Sequence, residues 1–192
     1  GYIAKNGSKQ GDFKGLLTAT VRDTKELITC KKQEDTSASA FQYYDRQKVL
    51  YNGTDSIKNG EFTFTFAVPR DINYAAGTGL MNLSAINDNH TLMAQGHEEG
   101  FTIDGSEIVY NDSIGPSIYA YLNSPSFVNG GEVNSTPYFF AQITDKDGIN
   151  ASGNGIGHDM QLTIDGKLTQ TYILNDNFRY DFGSYTSGTT GF

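Results

Sequence analysis

The run EFTFTFAVP, residues 61–69, constrains the fold more than any other stretch. Phe62, Phe64, Phe66 and Val68 alternate with Thr63, Thr65 and Ala67. A period of two places the large apolar side chains on one face of a strand and the threonines on the other. Pro69 is expected to end the ladder, because it has no N–H to donate.

Other segments read the same way. GLLTATV (15–21) and ELITCKK (26–32) flank the turn-like RDTK, and QEDTSASA (33–40) is a polar loop. FQYYDRQKVLY (41–51) becomes extended at its VLY end. Two Asn-Gly pairs follow, in YNGTDS and KNGEF, and each supplies positive φ at low cost, so both are hairpin signals. GTGLMNLSAI (77–86), EEGFTIDG (98–105) and EIVY (107–110) complete a first strand series. A second comprises SIYAYL (117–122), PYFFAQIT (137–144), HDMQLTID (158–165), LTQTYIL (168–174) and FRYDF (178–182). No stretch has convincing amphipathic-helix periodicity.

These patterns predict an all-β fold of two immunoglobulin-like β-sandwich units. Residues 1–12, polar after Ile3, are expected to be a leader or linker. The boundary falls at NDSIGP, giving 13–112 and 113–192 as the two units. The second is shorter than the about 100 residues of a complete immunoglobulin-type sandwich. It ends in the small, polar TSGTTGF, so its last one or two strands are expected to lie past residue 192.

Composition narrows the function classes. Fourteen Lys and Arg against 22 Asp and Glu give a net charge of −8. That balance argues against nucleic acid, whose phosphates need a basic footprint. It also argues against anionic membrane surfaces. No apolar run approaches the roughly 20 residues of a spanning helix, so direct membrane insertion is not expected. No signal peptide is visible in the first ten residues. A single cysteine, Cys30, rules out an internal disulfide framework.

The densest polar stretch is the loop DKDGINASGNGIGHD (145–159). Asp145, Asp147, Asn150 and Asp159 are the candidates for oxygen ligation of a Ca²⁺ cofactor. DKDGIN lacks the glutamate that completes an EF-hand loop. The same side chains stabilise turns by bonding nearby backbone. His158 reads as a hydrogen-bonded residue at a loop–strand junction, since a metal site needs further ligands near it.

KNGEFTFTFAVPRDINYAAGTGLMNLSA (58–85) and GPSIYAYLN…FVNGG…GINASGNGIGHDM (115–160) carry a resemblance. Together and in this order, they resemble the region after the catalytic domain in gingipain-like cysteine peptidases, a family that includes the type IX secretion system sortase. The resemblance runs from about residue 13 to residue 192. It implies a parent protein at the cell surface of a Gram-negative bacterium, with a caspase-like Cys–His catalytic domain upstream. The implied partners are that catalytic domain and secretion-system or surface proteins. Asp55-Ser56-Ile57 and Asp112-Ser113-Ile114 resemble short O-glycosylation sites of envelope proteins in the same bacterial group.

No catalytic residue carries over. In gingipain-type domains His sits in a His-Gly context and precedes Cys. Here His90, His97 and His158 are followed by Thr91, Glu98 and Asp159, and Cys30 precedes all three. Cys30 therefore reads as a small apolar strand residue. Tyr43, Tyr44, Tyr51, Tyr119, Tyr121 and Tyr138 are expected to fill cores and cross-strand pairs. The expected function is a non-catalytic sandwich segment of such a peptidase or sortase. The alternative is a surface glycan- or protein-binding adhesion module, which an exposed aromatic row would favour.

Overall fold

The computed structural model describes residues 1–30, 40–69, 72, 77–103, 113–153 and 159–192. The polar loop at 33–39, the EIVY strand, the boundary at 111–112 and His158 lie outside the described residues. The first part contributes β1 (Ala4–Lys5), β2 (Ser8–Lys9), β3 (Gly15–Arg22), β4 (Glu26–Thr29), β5 (Gln42–Asp45), β6 (Val49–Ile57), β7 (Gly77–Thr78), β8 (Leu80–Asn87), β9 (Met93–Glu98) and β10 (Thr102–Ile103). The second contributes β11 (Ser117–Leu122), β12 (Phe139–Thr144), β13 (Gln161–Thr163), β14 (Thr171–Ile173), β15 (Arg179–Tyr180) and β16 (Ser187–Gly191). Two short 3-10 turns, Leu168–Gln170 and Asn175–Asn177, flank β14. The chain is all-β and built from antiparallel sheets, in keeping with a sandwich-type fold.

Two four-stranded sheets organise it, with orders β6-β3-β8-β9 and β11-β12-β16-β15. In the first, β3 is interior. Leu17, Ala19 and Val21 are buried, and pair with Asp55, Gly53 and Tyr51 on one side and Ala85, Leu83 and Met81 on the other. Their neighbours Leu16, Thr18 and Thr20 point to the other face, as the period of two requires. In the second, Ala141 and Ile143 of β12 are buried and Gln142 and Thr144 are exposed.

EFTFTFAVP does not form a ladder strand. Its burial alternates as expected, Phe62, Phe64 and Phe66 being half-buried and Thr63 and Thr65 exposed. Backbone pairing is confined to its start: Phe62 donates to Gly1 O at 3.0 Å, and the N-terminal amine donates to Phe62 O at 2.8 Å. Alternation sets which side chains reach the core, whereas a ladder also needs a neighbouring backbone in register. Val68, outside the packed region, is exposed.

The two Asn-Gly pairs behave differently. Asn59 and Gly60 adopt φ of 53° and 70° and turn the chain between Lys58 and Glu61. Asn52 and Gly53 instead lie inside β6. Gly53 is small for another reason: a Cβ there would collide with the ring and hydroxyl of Tyr51, which lies along the strand over it.

Both ends of the chain join the fold. Residues 1–12, expected as a leader, form the β1–β2 hairpin and bury Ile3. TSGTTGF, expected as a polar tail, forms β16, an interior strand between β12 and β15. It reads as polar because neighbouring rings occupy its space: Gly188 underlies Phe178 and Gly191 underlies Tyr138. Thr190 is buried and donates to Leu174 O at 3.2 Å.

The sheets share one core. Tyr51, 2% exposed, stacks on Phe64, Phe66 and Tyr180 at centroid distances of 5.8, 5.4 and 5.0 Å. Tyr180 belongs to the second sheet, and Gly183 beyond it donates to Thr54 O of β6 at 2.8 Å. The second unit thus covers the outer edge of the first sheet.

Candidate functional site

The loop after β12 turns immediately and uses its own polar side chains to do so. Asp145 Oδ1 accepts from Asp147 N at 2.9 Å. Asn150 Oδ1 accepts from Ser152 N at 3.0 Å and Ser152 Oγ at 2.7 Å. Such Asx turns satisfy backbone groups that no strand partner reaches. Backbone bonds tie the loop to the chain before β16: Asp145 N to Thr186 O at 2.8 Å and Ile149 N to Tyr185 O at 3.0 Å. Gly148, at φ 107°, passes so close to Ala67 that a Cβ would sit 2.7 Å from that residue's Cβ.

Two residues not singled out in the sequence hold this loop. Tyr180 donates to Ile149 O at 2.6 Å from inside the core. Asn175 receives Met160 N at 2.9 Å and donates to Ala151 O at 3.3 Å, so one side chain clasps both arms of the loop. Both lie far along the chain from the loop, and the one local signal was the turn-like NDN stretch.

Between the loop and the inner face of the second sheet runs a groove of about 760 Å³. Ile118, Ala141 and Ile143 form its apolar floor, while Asp145, Asn150 and Asp159 line its polar side. Three of the four calcium candidates therefore meet in one groove. Asp145 and Asn150 accept the turn bonds given above, and Asp147 pairs with Lys146 at 2.8 Å. Among the described residues, no three His, Cys, Asp or Glu side chains are grouped to hold a metal ion.

The opposite, outer face of this sheet is aromatic. Tyr119 and Tyr121 lie 5.8 Å apart, and Tyr121 stacks on its cross-strand partner Phe140 at 4.8 Å. The expectation that the tyrosines fill cores holds for Tyr51. Tyr44 and Tyr119 lie instead in cross-strand pairs, opposite Leu27 and Gln142, and are 69% and 54% exposed, while Tyr138 is 55% exposed. Aromatic content drives burial only where another layer stands opposite. Ser56, in the first glycosylation-like triplet, is half-buried on β6, and its N–H donates to Asp55 Oδ1 at 2.6 Å.

Cys30 is exposed at the end of β4, which corrects its reading as a packed residue. Its N–H donates to Phe41 O at 2.9 Å. The backbone continues the β4–β5 pairing here while the side chain points outward. His90 sits in the β8–β9 turn at φ 56°, and His97 is on β9; both are exposed.

Among the described residues no helix is long and apolar enough to cross a membrane. No family model matches the chain, and no curated protein does. Among solved structures, it is similar to the crystal structure of dimeric latent PorU from Porphyromonas gingivalis, with a TM-score of 0.54 and 34% sequence identity. The match covers 97% of this chain but 17% of the PorU chain, so nearly all of it is similar to one segment of a much longer protein. That likeness supports a PorU-related β domain.

Proposed function

We propose that the chain is a non-catalytic β-sandwich segment of a gingipain-like cysteine peptidase or sortase of the type IX secretion system. In this reading it comprises two immunoglobulin-like units, 13–112 and 113–192. It supports or positions a catalytic domain upstream and contacts secretion-system or surface proteins, outside the cytoplasm of a Gram-negative bacterium. The observation that carries the proposal is the PorU likeness, which spans 97% of this chain and 17% of that one. A small share of a long peptidase-related chain fits a supporting part. A shared aromatic core joining two sheets suits a rigid spacer.

The chain is expected to hydrolyse no peptide. It would be assayed against fluorogenic peptides under reducing conditions, and thiol-dependent cleavage lost in Cys30→Ala would overturn the proposal. A supporting role also predicts that the chain, added in trans, raises the melting temperature of a PorU-type catalytic domain. No shift at saturating chain would count against it.

A second reading, a glycan-binding surface module, is favoured by one observation: the ring row Tyr119, Tyr121 and Phe140, in which Tyr119 is exposed and the other two are half-buried. A glycan array tests it. Binding abolished by Tyr119→Ala would support this reading, and an empty array would remove it.

A further inference from the structure

An asparagine followed by glycine can close on itself. The glycine backbone nitrogen attacks the asparagine side-chain carbonyl carbon, Cγ. A C–N bond forms, the bond from Cγ to the side-chain nitrogen breaks, and that nitrogen leaves as ammonia. Water then opens the cyclic imide at one carbonyl or the other, giving aspartate or isoaspartate. Glycine favours the attack because it has no Cβ to crowd its nitrogen. The step needs an unbonded glycine N–H, room around it, and freedom to rotate the asparagine backbone. Such pairs stand at 6–7, 52–53, 59–60, 129–130 and 154–155. The last lies outside the described residues.

The fold treats the other four pairs differently. Gly60 N donates to Phe13 O at 2.9 Å, and a Cβ on Gly60 would sit 2.2 Å from Gln10 O, so its amide is taken and its space filled. Gly53 lies inside β6 opposite Ala19. Thr54 O faces away from β3, accepting from Gly183 N. Antiparallel hydrogen bonding alternates residue by residue, so the Gly53 N–H faces β3 and belongs to the ladder. Gly7 has open space around it, but Asn6-Gly7 is the turn between the paired Lys5 and Ser8. Rotating Asn6 would break the hairpin beside the buried Ile3. Asn129-Gly130 carries none of these restraints. It lies in the connection from β11 to β12, where residues 123–138 form no strand, and both of its residues are exposed. Gly131 N donates to Val128 O at 2.9 Å, and Gly130 has φ 83°. In a turn of this kind only the fourth residue's N–H is bonded. Among the described residues nothing is hydrogen-bonded to Gly130 N or to the Asn129 side chain, and no atom lies within 4 Å of where a Gly130 Cβ would stand.

We propose that Asn129 is a site of self-modification in the folded chain, converting through the cyclic imide to aspartate and isoaspartate ahead of Asn6, Asn52 and Asn59. Water is the only co-reactant, and ammonia the only product released. The change places a carboxylate in the stretch from Ser113 to Gly131, which has no Asp, Glu, Lys or Arg. The isoaspartate form also routes the backbone through the side chain, adding one carbon to the main chain at the turn. The loop that carries it is fastened to the aromatic face of the second sheet. Tyr119 donates through its hydroxyl to Pro125 O at 3.2 Å, and Tyr138 N donates to Asn123 Oδ1 at 2.9 Å. The charge of the surface beside the ring row therefore changes with the age of the molecule.

Peptide mapping by mass spectrometry tests the order of reaction. The folded chain is held in mildly alkaline buffer, which favours the deprotonated amide nitrogen, and is sampled over time beside a urea-unfolded portion. In the folded chain, conversion at Asn129 should run about tenfold or more ahead of Asn52 and Asn59, whose reaction waits on local opening, with Asn6 between them. In urea all of these pairs should convert at about the same rate, because the dipeptide is the same and the restraints are gone. Gly130→Ala should slow conversion at Asn129 severalfold by placing a Cβ beside the attacking nitrogen, and should leave Asn6 as it was. Asn129→Gln should remove the product at this site, and both variants should keep the far-ultraviolet circular dichroism of the unmodified chain. The proposal is overturned if Asn129 stays intact in the folded chain while the unfolded portion converts. It is equally overturned if Asn52 or Asn59 keeps pace with Asn129 in the folded chain, or if Gly130→Ala leaves the rate at Asn129 unchanged.

Discussion

β3 and β11 invite comparison. GLLTATVR in β3 alternates apolar and polar residues, and its Leu17, Ala19 and Val21 are buried. SIYAYL in β11 is more apolar along its length, yet its first four residues are exposed. Hydrophobic content does not separate the two strands. What separates them is cover: β3 lies between two strands under the phenylalanine run, and β11, among the described residues, has a partner on one side above a groove. The lesson is that a strand's apolar residues mark the core only where a second layer stands opposite. Where none does, they stay at the surface.

The largest expected effect tests where the two sheets meet. Tyr51→Ala should cost about 3–5 kcal/mol, because it removes a buried ring stacked on both units. Tyr119→Ala, on the open face, should stay within about 0.5 kcal/mol. Urea denaturation compares them. Equal costs would show that the sheets are not joined through Tyr51. The same contrast within strands follows: Leu17→Ala is expected to lose about 3 kcal/mol, and Ile118→Ala almost nothing in a monomer.

A smaller effect concerns Tyr180. Burial pushes its hydroxyl above the ordinary range, with a further push from Tyr51. Burial first, and then Asp55, raises Tyr51 as well. A raised value in the fold means that the neutral phenol is favoured there. That contribution is fully present below about pH 10, the ordinary tyrosine value, and is lost as pH rises through the folded value. Tyr180→Phe should cost about 1 kcal/mol at neutral pH through the lost bond to Ile149 O. It should also flatten the fall in stability above pH 10. An unchanged alkaline profile would contradict the assignment. The smallest effect belongs to the exposed Lys9–Glu61 pair, whose hydrogen bond and charge hold the Glu61 carboxyl below its usual value. Lys9→Met should leave the melting temperature unchanged in moderate salt, because exposed pairs are screened.

Much of the fold was legible in the sequence. β3, β8, β11 and β12 follow from strand-like runs bounded by turn residues, and the Asn59-Gly60 turn follows from its need for positive φ. The misreadings share a cause. Asn52-Gly53 looked like a turn because the ring of Tyr51, two residues away, is invisible as a reason for glycine. β16 looked like a tail because its glycines make room for rings arriving from elsewhere. EFTFTFAVP looked like a ladder because alternation reports side-chain direction and is silent on backbone partners. At the candidate site, the turn chemistry of Asp145 and Asn150 was readable locally. The clasp by Asn175 and the bond from Tyr180 were not, since both reach the loop only through the tertiary fold.

Site-resolved amide hydrogen exchange tests the difference between the closed and open sheets most directly. At low concentration, the amides of Leu17, Ala19 and Val21 should exchange only through global unfolding. Tyr119 and Tyr121, bonded to β12, should be protected. Ile118 and Ala120 should exchange close to the solvent rate. Protection at Ile118 and Ala120 equal to that of β3 in the most dilute sample would mean that the chain closes this edge itself, and would contradict the account.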